Sequence, residues 1–98
     1  MNDHRLTHVN VAWYRAEQWA LLCALAADPE NLEKTHTQWL KTATKMTEEL
    51  RRKGIRVVKV EVDVRKLAAW CEREGKALNG AARAIYVAGD HATGETGP

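Results

Sequence analysis

Residues 28–54 read DPENLEKTHTQWLKTATKMTEELRRKG, and the fold turns on how this stretch is organised. Asp28 is a good N-cap, and Pro29 suits the first helical position, where a missing N–H costs nothing. Leu32, His36, Trp39, Ala43, Met46 and Leu50 then recur at alternating steps of four and three, which places them on one helical face. The pairs Glu30/Lys34 and Glu49/Lys53 stand four apart with the acid first, the favourable orientation. Arg51, Arg52 and Lys53 meet the negative end of the helix dipole, and Gly54 supplies a stop. The spacing predicts one long helix. A second start lies at Thr35, because the run Thr35, His36, Thr37, Gln38 fits a capping box, and a kink near Lys34 is compatible with the same pattern.

Upstream, residues 15–27 are dense in helix formers. Trp19, Leu22, Cys23 and Ala26 form a stripe that Leu21 and Leu25 widen, so this helix is expected to be buried on more than one side. The short break at 27–29 joins it to the central stretch as an αα-hairpin. Before it, residues 7–13 alternate, with Thr7, Val9, Val11 and Trp13 on one face and His8, Asn10 and Ala12 on the other, the pattern of a half-buried strand.

Downstream, residues 55–62 are rich in β-branched side chains. Val58, Val60 and Val62 share one face of a second strand and Ile55, Val57, Lys59 and Glu61 the other. Asp63 can cap a helix over 64–74 with Val64, Leu67, Ala68 and Cys71 inward, ended by Gly75. Asn79 can cap a short helix over 80–88, with Ala81, Ala82 and Ile85 inward and Gly89 closing it. The expected fold is therefore α+β, a helix-dominated single domain over 7–89 in the order β-α-α-β-α-α. A small two-stranded sheet packs on the αα-hairpin. If each element simply reverses direction, the two strands run antiparallel, and their open edges offer a second copy a place to pair. Residues 1–6 read as a mobile N-terminus, and 90–98, with Gly94, Gly97 and Pro98, as a disordered tail.

Composition narrows the function classes. Ninety-eight residues support one core, and an apolar share of 45% with a charged share of 29% is that of an ordinary globular chain. A net charge of +2 gives a weak overall field, which disfavours avid binding to nucleic acid or acidic membranes through charge alone. Cys23 and Cys71 are too few for a disulfide framework and fit a reduced, cytoplasmic setting. The opening MNDHRLTH has no apolar core of a signal peptide, and no run approaches the length of a membrane span, so no membrane association is expected.

Four tryptophans stand in a chain without phenylalanine. Trp19 and Trp39 lie on apolar stripes and read as core. Trp13 and Trp70, nearer element ends, are expected to be part-exposed and are the candidates for contacting a partner. Residues 67–86 suggest a helix-turn-helix whose second helix carries Arg83 and Tyr86. Lys76 and Ala77 after the glycine, and a second helix with a single basic residue, favour packing instead. A basic group of Arg51, Arg52, Lys53, Arg56 and Lys59 is diluted by Glu48, Glu49, Glu61 and Asp63. The four histidines show no metal spacing, although His36 sits on the central seam. There is no P-loop, Rossmann glycine pattern, H-E-x-x-H or G-x-S-x-G, so neither cofactor nor metal is expected.

Together the residues favour a non-enzymatic protein-interaction module, with a homodimer as one form and Trp13 and Trp70 as its contacts. The alternative is a nucleic-acid-binding regulator using Arg51, Arg52, Arg83 and Tyr86. Residues 11–15 (VAWYR), Asp63 and Val64 leading into Leu67, Ala69 to Cys71 and residues 82–87 (ARAIYV) resemble small bacterial proteins of about this length. The resemblance implies a cytoplasmic bacterial protein and carries no activity, cofactor or residue role.

Overall fold

A computed structural model describes residues 8–89. The expectations for residues 1–6 and 90–98 lie outside the described residues, as does Thr7. The elements are β1 (His8–Trp13), α1 (Ala16–Leu25), a 3-10 turn (Pro29–Asn31), α2 (His36–Arg52), β2 (Arg56–Glu61), α3 (Val64–Arg73) and α4 (Gly80–Ala88). This is the helix-dominated α+β domain in β-α-α-β-α-α order.

The stretch 28–54 does not form one helix. The Asp28 carboxylate caps no helix at Pro29; it reaches across the molecule to the start of α4, where Gly80 N–H donates to Oδ2 at 3.1 Å. Pro29 opens only the 3-10 turn, and the chain is extended at Leu32, with φ −107° and ψ 144°. The Glu33 carbonyl, which a continuous helix would need internally, accepts from Trp19 Nε1 at 3.2 Å. Thr35 then starts α2, its Oγ1 accepting from Gln38 N–H at 3.1 Å. The second start is the real one.

Both helix stops follow from glycine. Gly54 has φ +85° and Gly75 φ +66°, the left-handed conformation that a side chain resists. At the first, Ile55 N–H donates to Leu50 O and Gly54 N–H to Arg51 O, each at 3.0 Å. At the second, Lys76 N–H donates to Cys71 O at 2.8 Å and Gly75 N–H to Glu72 O at 3.2 Å. These are paired Schellman bonds, which satisfy carbonyls that the helix ends would leave open.

The strands pair in parallel, from His8 opposite Arg56 to Trp13 opposite Glu61, and this corrects the antiparallel expectation. The counting rule failed at α1. That helix packs on α3 and α2 rather than running back along the sheet, so α2 alone, which lies against β2, returns the chain. The core gathers Tyr14, Trp19, Leu22, Val60, Val62, Val64, Leu67, Trp70, Cys71, Leu78, Ala82, Tyr86 and Val87. Leu22, Leu67, Val62 and Val64 are fully enclosed, each contributing about 1.5–3 kcal/mol of apolar burial.

Two helix faces differ from expectation. On α4, Ala82, Tyr86 and Val87 turn inward, while Ala81 is exposed and Ile85 is 49% exposed. Arg83 is tied to Asp28, and that contact sets the rotation of the helix. On α2, Met46 is exposed, and Thr47 takes the inward place with Ala43. The buried Thr47 hydroxyl is satisfied by donating to Thr44 O at 2.9 Å.

Candidate functional site

β1 ends at Trp13, and Tyr14 follows it directly. Both meet Trp39 of α2, at ring-centroid distances of 5.0 Å and 5.5 Å. Trp19 stacks on Trp39 at 5.5 Å and His36 tilts against it at 5.1 Å. The His36 ring also contacts the Tyr14 carbonyl through Nε2 at 2.7 Å. Since a carbonyl only accepts, Nε2 carries the proton in that bond. Burial pushes the Tyr14 phenol up to about 12, with Arg83 lowering it and Asp28 raising it by smaller amounts.

Backbone phase then decides what β1 presents outward. Val62 N–H donates to Trp13 O at 3.1 Å, so the Trp13 peptide groups face β2. Alternation turns those of Val9 and Val11 the same way and those of Asn10, Ala12 and Tyr14 away from the sheet. His36 occupies the Tyr14 carbonyl. Among the described residues, the outward main-chain N–H and C=O groups of Asn10 and Ala12 have no partner.

Those two residues lie in a groove of about 350 Å³. Gly80, Arg83, Ala84 and Val87 of α4 form one wall, and Asn31, Leu32, Glu33 and Trp39 the other. Two contacts hold the α4 wall. Asn10 Nδ2 donates to Val87 O at 2.9 Å. Arg83 Nη1 meets Asp28 Oδ1 at 3.1 Å, their side chains only 13% and 15% exposed. The Arg83 hydrogen bond is the largest cause holding the Asp28 carboxyl below its usual range, and the Gly80 N–H adds to it. The Asp28–Arg83 pair is internally neutral. Glu33 is half-buried in the opposite wall, and no cation among the described residues pairs with its carboxylate.

On the sheet face that carries Trp13, the Lys59 ammonium of β2 reaches over β1 and lies 4.4 Å from the Trp13 ring centroid, and Arg56 is exposed at the start of β2.

The residues singled out from sequence fall in different places. Trp13 is half-buried beneath Lys59 and against Trp39. Trp70 is 4% exposed, which corrects the expectation that it is part-exposed; its ring packs against Tyr86 at 5.2 Å. Tyr86 is itself 2% exposed and Arg83 is held by Asp28, so neither is presented as a recognition helix would require. Arg51 and Arg52 are exposed at the end of α2, on a different element from Arg83. Cys71 is buried, and burial pushes its thiol up, toward the unreactive protonated form. Among the described residues no three His, Cys, Asp or Glu side chains are grouped to hold a metal ion, and no helix is long and apolar enough to cross a membrane.

Sequence reasoning missed Asn10 and Glu33 as groove residues, and it gave Arg83 a nucleic-acid role where the structure has it lining the groove and held by Asp28. One signal was present: asparagine is uncommon in the middle of a strand, and Asn10 sits there because its amide bonds to α4. No protein-family model matches the chain, and no curated protein or solved structure shows significant similarity to it.

Proposed function

We propose that this protein is a small, non-enzymatic, cytoplasmic protein-interaction module whose binding surface is the groove beside β1. The observation that supports the reading most strongly is the outward main chain of Asn10 and Ala12, which has no partner among the described residues and lies within that groove. An unpaired edge is a template for another chain. The aromatic cluster has a supporting role: Trp39 and Tyr14 line the groove and fix its shape. A second copy of the chain is the other partner this class admits, through exposed Leu40 on α2.

The test is recovery of partners on the tagged full chain from lysate, with and without nuclease, followed by reconstitution from purified components. A partner protein that survives nuclease and rebinds when purified is the expected result. Recovery that collapses with nuclease would overturn this reading in favour of nucleic acid bound through Arg51 and Arg52.

A further inference from the structure

Resting on that reading, we infer that the partner presents an extended, basic segment, which adds to the sheet as a strand beside β1. The main-chain N–H and C=O of Asn10 and of Ala12 each point into the groove and are spaced two residues apart. An added strand of either direction supplies donors and acceptors at that two-residue repeat, about 4.8 Å from β1. Four backbone hydrogen bonds then form without any rearrangement of the β1–β2 ladder. The contact of His36 with the Tyr14 carbonyl ends the open edge, so the paired segment is short.

Shape selects a single strand over a second copy. The α4 wall and the 31–33 wall stand on either side of the edge. A second copy would bring its own two walls against these, whereas a bare extended segment slides between them. Side chains of an added strand alternate between the two walls. Those facing Leu32 and Trp39 meet an apolar surface, and one beside Glu33 meets a carboxylate with no cation partner among the described residues. A lysine or arginine there gives the Glu33 carboxylate the charge partner it lacks among the described residues.

The experiment selects phage-displayed random dodecapeptides on the full chain, with counter-selection on Ala12→Pro. Proline deletes one outward donor and blocks the edge, while the β2-facing donors of Val11 and Trp13 stay in place. The enriched peptides should alternate apolar and basic residues and lack proline in their centre. They should bind Ala12→Pro at least about tenfold more weakly and Glu33→Gln about three- to tenfold more weakly. On the unaltered protein, bound peptide should slow amide exchange at Asn10 and Ala12, a readout that does not depend on how any variant folds. Peptides that bind Ala12→Pro equally, or that leave those two amides unprotected, would overturn the inference, as would a library from which nothing is enriched. Peptides that instead perturb Leu40 and Lys45 on α2 sink the added strand but spare the interaction reading, whose own failure shows in the lysate experiment.

Discussion

Asp28 holds two distant parts of the chain together. One carboxylate oxygen caps α4 through Gly80 and the other binds Arg83, so it ties the 3-10 turn to a helix fifty-odd residues away. Asp28→Asn should lower unfolding free energy by about 2 kcal/mol at neutral pH, the scale of a charged hydrogen bond, read from urea melts. The pH dependence has a definite sign. The folded-state carboxyl lies below its ordinary value of 3.8. Its contribution is therefore complete above that value and disappears as pH falls through the folded one, so wild type and Asp28→Asn should converge in strong acid.

The two tyrosines titrate the other way. Burial raises both, Tyr14 to about 12, so ultraviolet titration should show no tyrosinate step near pH 10. Above that pH the unfolded chain loses these protons first, and stability should fall. Trp70 offers a test of placement: as a core side chain, its replacement by alanine should cost about 3–5 kcal/mol. A partner-facing tryptophan would leave the thermal melt nearly unchanged.

At the level of elements, the local signals were legible and the distant ones were not. Caps at Thr35, Asp63 and Asn79 and stops at Gly54 and Gly75 all act within a few residues, and each is found where its chemistry put it. Asp63, for example, accepts from both Arg65 and Lys66 N–H. The length of the central helix was misjudged because Asp28 looked like a local cap while its real partners lie on α4. Strand direction was misjudged because it depends on where α1 packs, which no periodicity encodes. The groove needed three things at once: strand direction, backbone phase and the rotation of α4. Thr35→Ala should destabilise by about 1 kcal/mol through loss of the α2 cap, measured by thermal unfolding. Gly54→Ala should cost a similar amount, about 1 kcal/mol, because alanine resists positive φ.

At the scale of the whole molecule, α4 and the segment 31–33 line a groove along β1, with Asn10 and Ala12 of the strand within it. A two-stranded sheet is marginal unless packed. Here α2 lies against β2 and α4 against β1, which leaves the outer line of β1 as the place where another chain can complete the layer. The most direct measurement is residue-resolved hydrogen exchange on the free protein. The account predicts an alternating pattern along β1, with Val9, Val11 and Trp13 amides protected by β2 and Asn10 and Ala12 exchanging fast. Uniform protection across these five amides, or protection at Asn10 and Ala12 alone, would contradict it.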